Sequence, residues 1–359
     1  MWPNKLLDLL RIELPIIQAP MAGLATVELA AGVSDAGGLG SLGLSMATPD
    51  AMRAAISQFR SLTNKPINAN FFCHEDVPFD EADHRAWHDR LAPYRLELGL
   101  NSDGMPPPVR RPPFGSAMCA AVEEVRPEIV SFHFGLPEPA LVARVKAAGC
   151  RVLCSATTVA EARYLEEHGA DAIIAQGLEA GGHRGMFLTR EITSQPGTMA
   201  LVPQVVDAVS IPIIAAGGIG DARGIAAAIM LGASGVQMGT TFLFCPEAAV
   251  SPLHRAALRS GEDDQTVLTN VYTGRPARVL VNRFVREVGP MGDDVPPFPA
   301  AGAHVMPLRN RAEAQGRSDF TALWAGQATR LGREVPSGEL TRRLAADALE
   351  RMDKLGRQP

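Results

Sequence analysis

Across the first two thirds of the chain, short apolar runs of strand length alternate with amphipathic stretches of helical period. The runs predict strands at Ile16 to Ala19, Leu39 to Leu42, Ile67 to Phe71, Ile129 to Phe132, Val152 to Ser155, Ala172 to Gln176, Ile213 to Ala216 and Gly235 to Met238. Helical patterns lie between them, at Val27 to Ala36, Pro49 to Arg60, Glu138 to Ala148, Val159 to His168, Ala200 to Val209 and Ala222 to Leu231. Eight strands separated by helices imply a parallel sheet with right-handed crossovers, and eight is the number that closes a (β/α)8 barrel. A doubly wound open sheet is the competing topology. The barrel is preferred because glycine clusters follow several late strands, while no G-x-G-x-x-G follows the first.

Two segments break the rhythm. Residues 101 to 113, NSDGMPPPVRRPP, are too rich in proline for regular helix and read as an excursion over the barrel mouth. After Cys245 the alternation stops. Helical stretches at Leu253 to Ser260, Phe320 to Leu331 and Gly338 to Leu355 surround the irregular run GPMGDDVPPFPAAG. The expected organisation is a barrel over residues 1–245 and a mainly helical extension over 246–359 that completes the pocket.

Composition narrows the function classes. The 359 residues are 46% hydrophobic and 20% charged with a net charge of -5, so there is no basic footprint for nucleic acid. No apolar run reaches the roughly 18 residues of a membrane span, and no targeting segment is evident at the start. The five cysteines, Cys73, Cys119, Cys150, Cys154 and Cys245, are scattered and lack paired metal spacing. Reduced thiols in a cytoplasmic protein without a metal site are expected.

Candidate chemistry gathers at the strand ends. Gly217-Gly218-Ile219-Gly220 follows the seventh strand and opens a helix at Asp221, and Gly239-Thr240-Thr241 follows the eighth. In barrels of this type those two loops commonly form a phosphate site from backbone N–H groups and a helix N-terminus. Paired glycines can also be plain turns, but two clusters at consecutive strand ends favour phosphate. Neither loop holds lysine, so main-chain donors and the Thr240 hydroxyl would carry the anion. Gln18, Asn70 and Gln176 adjoin apolar runs. There an amide can meet a ring edge of alternating donors and acceptors, or simply tie loops together.

Two histidines stand apart, His133 in SFHFG and His183 in GGHRG. A neutral imidazole at a strand end can take a proton near physiological pH, although a core histidine bonded to a carbonyl is the alternative for His133. Arg184 either favours an anion or serves structure. His74, His84, His88, His168, His254 and His304 stand in polar contexts and are expected to be solvated.

Seven ordered blocks now form a pattern: PIIQAPMAG (15–23), GGLGSLG (37–43), NANFF (68–72), SFHFGLP (131–137), IIAQGLEAGGHRG (173–185), IPIIAAGGIGD (211–221) and GVQMGTTF (235–242). Together they resemble the nitronate monooxygenase family, over about residues 14 to 245 and more weakly at 309 to 328. The resemblance implies a barrel flavoprotein with non-covalent FMN. On matching positions the FMN contacts would be Ala19, Met21, Ala22, Gly23, Asn70, Gln176, Gly181, Gly217, Gly218, Gln237, Met238, Gly239 and Thr240. It further implies His133 as catalytic base, His183 in the substrate pocket, and oxidation of alkyl nitronates, propionate 3-nitronate among them, by O2 to a carbonyl compound and nitrite. Neutral nitroalkanes would need His133 to remove a carbon-bound proton first.

The chain departs from the family in having only Tyr94, Tyr164 and Tyr272, and Phe298-Pro299 where a tyrosine-proline pair is common. Phenolic donors for a nitro group or carboxylate are thereby lost. An FMN enzyme reduced by NAD(P)H, acting on quinones or enoyl thioesters, is the second reading. A non-catalytic flavin-binding barrel is the third.

Overall fold

The computed structural model describes residues 2, 4–78, 80–100, 104–107, 111–260 and 265–356. Strands β1 (Ile16–Gln18), β2 (Gly40–Gly43), β3 (Ile67–Phe72), β4 (Ile129–His133), β5 (Arg151–Ala156), β6 (Ala172–Gln176), β8 (Ile213–Ala216) and β9 (Gly235–Met238) pair in parallel in the order β1-β9-β8-β6-β5-β4-β3-β2. A parallel bridge between Ile17 and Leu39 joins the two ends, so the eight strands close into the expected barrel. Two-residue β7 (Gly182–His183) lies outside it.

The helices start where side chains cap them. Thr26, Thr48 and Thr158 accept from the backbone N–H of Leu29, Ala51 and Glu161, and Asp221 accepts from that of Arg223. Ile17, Leu39, Ile129, Leu153, Ile174 and Ile214 form one buried cluster inside the barrel, with Leu6 and Leu10 of the helix Asn4–Leu10 closing its N-terminal end. The other strand faces pack outward on the helices in the main core. With the bottom sealed by apolar side chains, the open end is the C-terminal rim.

The helix that completes the ring comes late. Ser337–Gly356 packs between the helices Ala222–Met230 and Val27–Asp35, and its Leu340, Leu344 and Ala348 enter the main core. Residues 246–336 are thus inserted between the eighth barrel strand and its helix. Part of that insertion is sheet: β10 (Thr266–Thr269) and β11 (Ala277–Leu280) form a hairpin whose second strand pairs antiparallel with β7, setting Ala277 opposite His183. The helix expected over Phe320 to Leu331 is not formed. That segment runs extended, bridges Val279 at Trp324, and turns through a 3-10 helix at Thr329–Leu331. Sheet pairing and burial of Leu323 and Ala325 override its helical period.

The excursion after β3 supplies helices Glu81–Arg90 and Ala92–Glu97. Trp87, Leu91 and Leu98 from this excursion pack with Tyr272, Phe284, Val305 and Phe320 of the insertion in a second, smaller core beside the mouth. Of the proline-rich stretch 101–113, residues 101–103 and 108–110 lie outside the described residues. His74, His84, His88, His254 and His304 are buried and only His168 is exposed, contrary to the solvated positions their polar sequence contexts suggested. His74 bonds the Arg111 carbonyl at 2.8 Å, His254 that of Trp324 at 3.0 Å, and His304 Nε2 meets His84 Nδ1 at 3.0 Å. No helix among the described residues is long and apolar enough to cross a membrane.

Candidate active site

A cavity of about 590 Å³ opens at the C-terminal rim, within the size range of small-molecule sites. Its wall includes Ala19, Met21, Ala22 and Gly23 after β1, Asn70 on β3, His133 on β4, Gln176 on β6, and Gly181 and His183 beyond it. Gly217 and Gly218 after β8, and Gln237, Met238, Gly239 and Thr240 at the end of β9, complete the set named from the sequence. Every one of those positions therefore faces the same space. Gln18 does not: its Oε1 accepts from Ser41 N at 2.8 Å, and the side chain ties β1 to β2 in the core.

His133 sits between two partners. Its Nε2 lies 3.1 Å from the carbonyl oxygen of His183 and its Nδ1 lies 3.0 Å from the Ser155 hydroxyl. A carbonyl only accepts, so the ring proton belongs on Nε2, and Nδ1 accepts from Ser155. Burial pushes the imidazole down to about 3, with the charge of Arg275 lowering it further. His183 is likewise pushed down to about 3 by burial, and His133, Arg275 and Arg111 add to the effect. Both rings are neutral at pH 7. The His183 ring bonds Thr273 at 3.0 Å, and its carbonyl also accepts from Gln176 Nε2 at 3.0 Å. Phe72, Phe134 and Phe298 surround the pair, with Phe298 edge-on to His183 at 5.6 Å between centroids.

The glycine rim is shaped for close approach. Gly217 and Gly218 have φ of +113° and +68°, a region that disfavours side chains. A Cβ on Gly181 would come within 2.5 Å of Gly326 N, so the strand end and the 325–326 segment meet backbone to backbone. Thr240 Oγ1 accepts from Gly326 N at 2.8 Å, which leaves its hydroxyl proton free to donate. Gln237 Oε1 is buried without a hydrogen-bond partner. Asn70 spends its Nδ2 on Ser131 at 2.9 Å, leaving Oδ1 without a protein partner among the described residues. Unpaired amide oxygens on a cavity wall call for a donor from a ligand.

Arg184 takes no part in the cavity. Fully buried, it donates to Gln195 Oε1 at 2.7 Å, Gly177 O at 2.6 Å and Gln176 O at 2.8 Å, so its role is structural. Ser155, Thr273, Tyr272, Trp324, Arg111 and Arg309 also line the space, and sequence reasoning did not single them out for it. Only Ser155, the last but one residue of a barrel strand, carried a signal: its position matches that of the strand-end amides. Among the described residues no group of three or more His, Cys, Asp or Glu has the arrangement to hold a metal ion.

A closed barrel with a sealed floor and a polar, glycine-lined mouth defines a (β/α)8 enzyme with its chemistry at the strand C-termini. The family model for nitronate monooxygenase matches residues 4–347. The nitronate monooxygenase of Pseudomonas aeruginosa is 44% identical over 94% of this chain and 97% of its own length. That of Paraburkholderia phytofirmans is 42% identical, covering 98% and 96%. Among solved structures, the nitroalkane oxidase of Streptomyces ansochromogenes superposes with a TM-score of 0.88 at 39% identity, covering 98% of this chain and 99% of that one. The chain belongs to the nitronate monooxygenase family and is an oxidoreductase.

Proposed function

We propose that this protein binds FMN at the barrel mouth and oxidises alkyl nitronates with O2 to a carbonyl compound and nitrite. The observation that carries the reading is the cavity's polarity: among the described residues it is lined by two arginines and by no aspartate or glutamate, in a chain of net charge -5. Such a lining favours anions, and both a flavin phosphate and a nitronate are anionic.

The residues fit the cofactor. Main-chain N–H groups at Gly217, Gly218 and Gly239, with the Thr240 hydroxyl, would hold the phosphate, and Asn70, Gln176 and Gln237 would meet the ring edge. FMN bound there would supply the electron-accepting chemistry. The chain's own contribution is placement. Phe72, Phe298 and Trp324 exclude water, and His183 presents an uncharged ring. His133 offers Nδ1, through Ser155, as the proton acceptor when the substrate is a neutral nitroalkane. An imidazole depressed to about 3 is a weak base, so nitronates, which have already lost that proton, are the preferred substrates. The insertion and the excursion after β3 form the substrate side of the pocket. Five unpaired thiols support a cytoplasmic location.

An absorbance spectrum of the purified protein and oxygen uptake with propionate 3-nitronate test the reading together. A yellow protein releasing about one nitrite per nitronate is expected. A colourless protein that refuses added FMN, or rapid anaerobic bleaching by NADPH without nitronate turnover, would overturn it.

A further inference from the structure

The two cavity arginines differ in one respect. Arg309 is tied to Glu313, one turn along its own helix, Nε to Oε1 at 2.8 Å. Arg111 lines the cavity half-buried, and among the described residues no carboxylate pairs with it. A guanidinium held partly out of water without a counter-ion is unfavourable unless a ligand supplies the anion.

Its position is fixed by its neighbours. The Arg111 carbonyl accepts from His74 Nε2 at 2.8 Å, and His74 is buried edge-on against Phe298 with centroids 4.8 Å apart. On the C-terminal side, Phe114 N donates to Phe72 O at 2.8 Å, anchoring the returning backbone to the end of β3. Its charge also acts on His183, whose ring it disfavours in the protonated form. Arg111 therefore stands on the His183 side of the cavity, on the segment that lacks any tyrosine.

We propose that Arg111 is a specificity-determining residue, pairing with a carboxylate at the far end of the nitronate substrate while the nitronate group lies toward the two histidines. This rests on the nitronate reading above and names which residue selects among nitronates. A planar guanidinium binds a carboxylate bidentately, which a phenol cannot do.

The test uses the holoenzyme and two substrates differing in that carboxylate, propionate 3-nitronate and propane-1-nitronate. In Arg111→Met the ratio of their kcat/KM values should fall at least about tenfold, mainly through KM, and Arg111→Lys should recover part of it. Calorimetric binding of succinate, in which a second carboxylate stands in for the nitronate, should weaken by a similar factor. Equal losses on both substrates would assign Arg111 to the nitronate group and overturn the proposal. A weakened FMN affinity that accounts for the change, or unaltered succinate binding, would also overturn it. If the wild type oxidised neither nitronate, the functional reading would fail on its own, and succinate binding would still decide whether Arg111 holds a carboxylate.

Discussion

The Ser155 hydroxyl lies 3.0 Å from Nδ1 of His133, and because the opposite nitrogen donates to the His183 carbonyl, this bond occupies the ring's one lone pair. A proton leaving a substrate would reach His133 only through Ser155 or by displacing its hydroxyl. Ser155→Ala should therefore act selectively. We expect turnover of neutral nitroethane to fall about tenfold or more, and that of ethyl nitronate by less than about threefold. His133→Asn should show the same selectivity. Oxygen-uptake kinetics on both forms of one substrate decide the matter: equal losses would remove proton abstraction from the pair.

Histidine burial sets a pH dependence of stability. His133 and His183 are held at about 3, and His254 and His304 at about 4, all chiefly by burial, against an ordinary value of 6.5. The folded protein thus binds fewer protons than the unfolded chain between those limits. The resulting stability is complete above about pH 6.5 and is lost as pH falls toward the folded values. Urea midpoints should drop between pH 7.5 and 5, by an amount corresponding to roughly 1 kcal/mol per ring given that His133 and His183 face a cavity open to water. A midpoint constant over that range would contradict the buried, neutral assignment.

Gly217 tests the anion site. Its φ is +113°, and an added Cβ would lie 2.9 Å from Thr198 Oγ1 and 3.1 Å from Ala180 N. Gly217→Ala should raise the FMN dissociation constant at least about tenfold, read from quenching of flavin fluorescence on titrating the apoprotein. Gly149→Ala is the control. Its φ of +91° imposes similar backbone strain, but a Cβ there meets nothing within 4 Å, and the residue does not line the cavity. It should cost stability and leave FMN affinity unchanged.

How far the sequence carries depends on whether a signal is local. All eight barrel strands could be read because each is a buried apolar run, and the glycines of 217–220 and 239 mark their ends without reference to anything distant. The hairpin β10–β11 was less legible although TVLT and ARVL are short β-rich runs, because β11 finds its second partner strand in Gly182–His183, nearly a hundred residues away. The buried histidines were misread for the same reason. His84 and His304 look polar on their own helices, and become interior only when the excursion after β3 packs on the insertion. Arg111 and Ser155 are placed in the cavity by closure of the barrel and return of the excursion, neither of which a linear motif records.

Arg184 separates a structural cation from a ligand-binding one. It stands next to His183 and would be the natural choice for an anion anchor, yet its guanidinium is enclosed and spends its donors on Gln195 Oε1 and on the carbonyls of Gly177 and Gln176. Those three acceptors hold the end of β6 to the loop that presents His183. In Arg184→Met, Gln195 Oε1 and Gln176 O would be left buried and unpaired while Gly177 O kept the N–H of Ala180, at a cost of roughly 3 kcal/mol, whereas Arg184→Lys would keep the charge and satisfy only some of them. The urea midpoint should therefore fall sharply in the methionine variant and less in the lysine variant. An anion anchor would behave in the opposite way, raising KM for nitronates with the midpoint unchanged. Measuring both quantities on the same preparations distinguishes the two roles, because a structural arginine moves stability first and a ligand-binding one moves KM first.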